Sequence, residues 1–443
     1  MKTIINWDSG KFLFATLATT LLTSLSTNAS AQADVSILYH EPMVPLEIEY
    51  SDQGYTTRIV FDAFGRRFVL LTEKSTFGAS IPGIELVEAQ IEGAPGAWAR
   101  LTIRNGVISG IIQGIGDTYL IEPRATAADN LMISNEQGIS ASIIYRLADT
   151  LVPNGLLSCG TLHDDDQVNA KDAFAELTAE LDSAGEASDA INRASIGIVA
   201  DSHLYERLDF DTQATVEQML QTVAGIYSNQ LDIEIEPVTY FVSATKEGDP
   251  LSDERIGAKL LDELGAWRVS NQSDLALTHL ITDRDLLNDS GQSIAGISFL
   301  GTPGRSGVCD ARTGASVSEW IGSGLTALVI AHEIGHNFGA SHDGEPSPPG
   351  APPNPCASEP QDVYLMSAML SGSRNSEFSQ CSVEEIRKVV AAANCLRPSS
   401  QLEASTNSLP ADSGGGGALN WLCLLMLAGL VFKRRRVALQ QDI

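Results

Sequence analysis

HEIGHNFGASHD, residues 332–343 of this 443-residue chain, sets three histidines and a glutamate at spacings that suit one metal ion. His332 and His336 lie four apart, so on a helix they share a face with Cβ atoms about 5–6 Å from each other. Gly339 can enter the left-handed backbone region, end that helix and turn the chain so that His342 approaches as a third nitrogen. Three protein ligands leave a fourth position open to water, the arrangement of a catalytic rather than a structural zinc. The bland alternative is a set of histidines on an ordinary helix. With only 7 histidines in the chain, a chance HExxH is roughly a one-in-a-hundred event even before Gly339 and His342 are required.

The full HExxHxxGxxH pattern resembles the metzincin zinc endopeptidases, which add a methionine-containing turn beneath the metal. Tyr364-Leu365-Met366-Ser367-Ala368 follows downstream, and Met366 looks like the methionine of that turn, although core packing would explain it equally well in isolation. Asn337 inside the motif, Asp343 directly after it and Phe378-Ser379-Gln380-Cys381-Ser382 narrow the resemblance to the adamalysin or reprolysin family of ADAM-like catalytic domains. Gly296-Ile297-Ser298-Phe299-Leu300-Gly301, followed by Cys309, is similar to the edge strand and first cysteine of that fold. The likeness covers about residues 195–398. It implies an α/β (α+β) catalytic domain with a mixed twisted sheet and an active-site helix. It also implies one zinc held by His332, His336 and His342, and Glu333 as general base toward the metal-bound water in peptide-bond hydrolysis.

Two departures limit the resemblance. Family members often bind calcium through an early glutamate, an aspartate and groups near the last cysteine, including an asparagine three residues beyond it. Here Pro398 stands at that last position, and the first strand, Ile196-Gly197-Ile198-Val199-Ala200, contains no glutamate. A family-type calcium site is thereby put in doubt. Six prolines between Pro346 and Pro355 form an unusual insertion behind the zinc motif that can reshape the neighbouring substrate pocket.

The six cysteines are Cys159, Cys309, Cys356, Cys381, Cys395 and Cys423. Spacing alone allows three pairings among the four in the protease-like region; the resemblance implies Cys309 with Cys395 and Cys356 with Cys381. Cys159, in Leu157-Ser158-Cys159-Gly160-Thr161, is then left just ahead of the zinc region. A thiolate is a strong zinc ligand and could fill the open position, which is how prodomains of this clan hold the enzyme inactive as a zymogen. A stray or intermolecular cysteine is the alternative.

Lys2 and Lys11 precede an apolar run at residues 12–25, and Ala31-Gln32-Ala33 reads as a cleavage site, so residues 1–33 are expected to be a signal peptide removed by signal peptidase. Residues 34–190 read as a β-rich prodomain. Alternating apolar and polar positions at 55–60, 67–71, 98–103 and 106–112 give its strands, and an acidic linker runs over about residues 160–190. That linker, with Asp164-Asp165-Asp166, has the composition of a protease-accessible connector; Arg193 is a candidate cleavage point. From there the pattern alternates strand and helix through residue 398. Strands are expected at 196–200, 233–242, 275–282 and 294–300. Helices are expected at 212–230 (amphipathic), 252–269 and 325–338.

Residues 399–417 are a Ser/Gly-rich linker. The mostly apolar stretch 418–432 follows, and then Lys433-Arg434-Arg435-Arg436. Fifteen helical residues rise about 22 Å against a hydrocarbon core of about 30 Å, a marginal permanent anchor. Gly-rich spacer, short apolar run and basic end resemble the bacterial GlyGly-CTERM sorting tail, processed by a rhomboid-type protease. A retained membrane anchor is the alternative, and either leaves the catalytic region facing outward, secreted or at the cell surface. Net charge is −28, which argues against nucleic acid or anionic membrane as a partner and otherwise suits a secreted or salt-adapted protein; protein or peptide substrates are what the resemblance implies. The competing functions are a zinc hydrolase of a non-peptide amide and a non-catalytic surface binding module on the same fold.

Overall fold

The alternation in the first half and the strand–helix alternation in the second build two layered units in the computed structural model. It describes residues 35–77, 81–132, 140–152, 158–162, 191–347, 353–369 and 376–398. The expected signal peptide (1–33), most of the acidic linker (163–190), the Ser/Gly-rich stretch beyond residue 398 and the tail (418–443, with Cys423) lie outside the described residues. Among the described residues no helix is long and apolar enough to cross a membrane.

The N-terminal unit is a nine-stranded antiparallel sheet, mostly of hairpins in chain order, with Glu41–Met43 closing one edge and Pro45–Tyr50 the other. One set of alternate side chains forms its own core, in which Phe61 and Phe68 stack at 4.8 Å and Tyr119 meets Phe68 edge-on. The C-terminal unit is built on a mixed sheet. Its strand Asn192–Ala200 runs parallel to Ile233–Val242 on one side and to Leu277–Thr282 on the other. Ala315–Glu319 continues the parallel set, and the edge strand Ile294–Phe299 lies antiparallel to it. Along strand Asn192–Ala200, Ile196, Ile198 and Ala200 face a core shared with helices Thr212–Leu231 and Ser323–Asn337, whereas Val199 faces helix Gly257–Asn271. The sheet is therefore covered on both faces, as its near-continuous apolar strands require.

Two helices and the candidate cleavage point differ from expectation. Helix Thr212–Leu231 is buried almost all round, because the N-terminal sheet covers the polar face that sequence alone would give to water. Gln218 accepts from Ser109 (2.6 Å), Gln221 donates to the Val87 carbonyl (3.1 Å), and a Cβ on Gly225 would meet Trp98 and Arg100 at 2.6 Å. The helix expected at 252–269 begins instead at Gly257. Residues just before it are taken by other partners: Ser252 bonds Glu263, and Arg255 reaches Asp285. Arg193 lies in strand Asn192–Ala200, paired with Glu234 on one side and Arg397 on the other, so it is not a loop site open to cleavage.

The short strand Ser158–Leu162 was not expected. It joins the C-terminal sheet as its outermost member, parallel to the edge strand, with Cys159 opposite Gly296 and Gly160 opposite Ile297. On its other side the Cys159 amide donates to the Ala368 carbonyl at 3.0 Å.

Candidate metal centre

Helix Ser323–Asn337 carries His332 and His336 on the face their spacing dictates, both buried. It ends where expected: Gly339 has φ +92°, and its amide donates to the His336 carbonyl at 2.8 Å. A Cβ there would meet Val389 at 2.5 Å as well as strain the backbone. Beyond that turn His342 comes back over the helix. His336 Nε2 stands 3.0 Å from His332 Nε2 and 3.1 Å from His342 Nε2. With nitrogen–zinc distances of about 2.0–2.1 Å, tetrahedral ligands would sit about 3.3 Å apart. The three rings therefore fit a zinc ion with little movement.

The far side of each ring fixes which nitrogen is bare. His332 Nδ1 faces the Leu365 carbonyl at 2.6 Å and His336 Nδ1 the Ala340 carbonyl at 2.7 Å. A carbonyl only accepts, so each Nδ1 carries the proton and each Nε2 a lone pair. His342 Nδ1 faces Glu345 Oε2 at 2.5 Å, with the same effect.

Met366 is fully buried directly under this helix; a Cβ on Gly335 would meet its sulfur at 2.7 Å. The turn holding it is tied into the site twice, through the Leu365 carbonyl to His332 and through the Met366 carbonyl, which accepts from the Asp343 amide at 2.9 Å. Asp343 is buried and accepts from Ser379 at 2.7 Å and Ser382 at 3.2 Å. Burial pushes its carboxyl up to about 6, against the pull of those two hydroxyls. Asn337 donates to the Phe299 and Ala315 carbonyls at 2.9 and 3.0 Å, pinning the end of the helix to the edge strand and its neighbour.

Glu333 points from the helix toward Gly296, where any side chain would overlap its carboxylate: a Cβ would stand 2.8 Å from Glu333 Cδ. Cys159 lies over the same place. Its thiol donates to Glu333 Oε1 at 3.0 Å and its sulfur is 3.4 Å from His336 Nε2. One ligand atom from each of Cys159, His332, His336 and His342 falls within 4.8 Å of the others. Two disulfides frame the site, Cys309–Cys395 and Cys356–Cys381; Cys159 takes part in neither.

The residues singled out from sequence are thus gathered at one place. Sequence reading missed the carbonyls of Leu365 and Ala340, which no residue-type pattern can reveal. It also missed Glu345, whose only local sign is a carboxylate three positions after a histidine, and the reason position 296 must be glycine.

Fold and site together give an α+β domain whose helix and following loop bring three histidine nitrogens together as a metal site requires. The family model Reprolysin_5, metallo-peptidase family M12, matches residues 191–379. Disintegrin and metalloproteinase domain-containing protein 10 from Homo sapiens is 24% identical over 416 residues, covering 79% of this chain and 54% of its own length. The protein of that name from Xenopus laevis is 27% identical over 232 residues, 45% of this chain and 30% of its own. The chain spans about half the length or less of these curated relatives. Among solved structures, metalloproteinase-II from Bacteroides fragilis aligns with a TM-score of 0.46 and 13% identity, over 76% of this chain and 91% of that one. The family match falls on the part of the chain that carries the histidine helix and covers less than half of the chain.

Proposed function

We propose that the chain is an exported zinc-dependent endopeptidase, held latent as a zymogen by its own N-terminal unit. The observation that carries this reading is the convergence of three Nε2 atoms, 3.0 and 3.1 Å apart, whose rings have all committed their Nδ1 protons elsewhere. Three lone pairs so close repel one another unless a cation lies among them. His332, His336 and His342 would hold a zinc ion, which when bound would supply a Lewis acid that lowers the pKa of water toward about 7 and polarises a carbonyl.

The chain's own residues do the rest. Glu333 Oε1, buried and already a hydrogen-bond acceptor, takes a proton from the attacking water and passes it to the nitrogen of the leaving amine. The edge strand Ile294–Phe299 offers main-chain groups to an extended peptide, and this aligns the scissile bond over the site. In the latent form Ser158–Leu162 occupies that edge. Substrate and N-terminal unit therefore compete for one set of hydrogen bonds, and Cys159 covers both the proton acceptor and the metal position. Export is supported by the sequence of residues 1–33 and by the two disulfides, which persist in an oxidising compartment. Residues 418–443 would hold the protein at a membrane, transiently or for good.

The test is hydrolysis of casein by the form cleaved in the 163–190 connector and freed of its N-terminal fragment, beside the same form of Glu333→Ala, with zinc measured in both. Glu333→Ala is expected to keep its zinc and lose at least about a hundredfold in kcat/KM. Equal activity would overturn the reading. Activity confined to small amides would point to the non-peptide hydrolase.

A further inference from the structure

His342 differs from its two partners in what holds it. His332 and His336 are fixed by a helix and by main-chain carbonyls, whereas His342 sits on a loop and its Nδ1 faces the side chain of Glu345 at 2.5 Å. That loop has its own clamp. The Asn354 amide donates to the carbonyls of both His342 and Glu345, each at 2.7 Å, and so ties the two ends of the turn to one side chain. Asn354 Oδ1 accepts from the Cys356 amide at 2.8 Å, and the Gly344 amide donates to the Cys356 carbonyl at 2.9 Å. Cys356 is bonded to Cys381 on helix Gln380–Ala392, so the clamp is anchored to the body of the fold. Gly344 has φ +72°, and a Cβ there would meet Gln361 at 2.5 Å. The turn is built closely around the clamp.

We propose that Glu345 is a positioning residue for the third metal ligand and that Asn354 sets it in place. This rests on the zinc reading of the site. The carboxylate holds the Nδ1 proton, keeps the His342 lone pair turned toward His332 and His336, and raises the donor strength of the ring; a carboxylate behind a ligating histidine acts in this way in metal sites generally. Behind the Nδ1 of His342 stands a carboxylate, where His332 and His336 have main-chain carbonyls. The segment around the prolines thereby gains a part beyond shaping a pocket: its Asn354 end holds the metal site together.

Competition of a fluorescent chelator for zinc, on the full chain, tests the proposal with the parent, Glu345→Ala, Glu345→Gln and Asn354→Ala. Glu345→Ala is expected to bind zinc 10- to 100-fold more weakly. Glu345→Gln, which keeps a neutral acceptor, should recover part of the loss, and Asn354→Ala should fall with Glu345→Ala. Because the Glu345 side chain is half exposed, the melting temperature of the zinc-free Glu345 variants should match the parent. Zinc affinity in Glu345→Ala equal to the parent would overturn the proposal and leave the zinc site standing. A parent that binds no zinc would overturn both.

Discussion

At the scale of single residues, the site depends as much on what is absent as on what is present. Gly296 on the edge strand leaves the space that the Glu333 carboxylate fills. Gly296→Ala would push that carboxylate aside by a fraction of an ångström or more without touching a metal ligand. Misplacement on that scale costs on the order of a hundredfold in rate, so the activated variant should keep its zinc and lose about that much in kcat/KM on casein. Unchanged kinetics would mean the carboxylate finds the same place by another route. The histidines and Glu333 were legible in the sequence because a helix converts a spacing of four into a shared face. The requirement at position 296 was not, because it arises from a residue 37 positions away across the fold.

Elements show the converse limit. The period of residues 212–230 gave the long helix to within a residue, yet its polar stripe, with Gln218 and Gln221, is buried against the N-terminal sheet rather than wet. Local pattern does not say which other element will arrive. The histidine helix has a related dependence on its partner. Its N-cap is Gly322, with no side-chain cap of its own, and the Gly324 amide donates to Glu122 Oε1 of the N-terminal sheet at 2.7 Å. Tyr145 donates to the same oxygen at 2.8 Å. Glu122→Ala would leave both donors buried without that acceptor, and the full chain is expected to lose about 1–3 kcal/mol in urea unfolding. No loss would show that the contact is incidental.

Glu319, at the end of strand Ala315–Glu319, bears on pH. Its carboxyl is buried and pushed up to about 8. The unfolded chain gives up that proton near the ordinary carboxylate value of about 4.3, whereas the folded chain keeps it to about pH 8. The stability associated with this group is therefore complete below the unfolded pKa and is lost as pH rises through the window up to about 8, by up to about 1.4 kcal/mol per unit. Unfolding free energies of the parent and Glu319→Gln at pH 5, 6.5 and 8 should diverge, the variant gaining on the parent toward the alkaline end. Parallel curves would contradict the assignment.

At the scale of the whole molecule, the two units share one continuous core, in which Ile111, Leu120, Ile143 and Tyr145 of the first meet Val216, Leu220 and Leu325 of the second. The strand bearing Cys159 lies on the N-terminal side of the 163–190 connector but belongs to the C-terminal sheet. Cutting that connector thus severs the chain without emptying the cleft. A cysteine ahead of a zinc motif suggested this arrangement from sequence. The strand that delivers it was not legible, since five residues have no period of their own and take their form from the edge they meet. Cobalt(II) in place of zinc tests the account most directly, since a cobalt-bound thiolate gives an intense charge-transfer band that imidazoles alone do not. The full chain is expected to bind one cobalt with that band, and Cys159→Ser to bind the metal without it. A full chain that binds cobalt as Cys159→Ser does, with no thiolate band, would contradict the account of its latency.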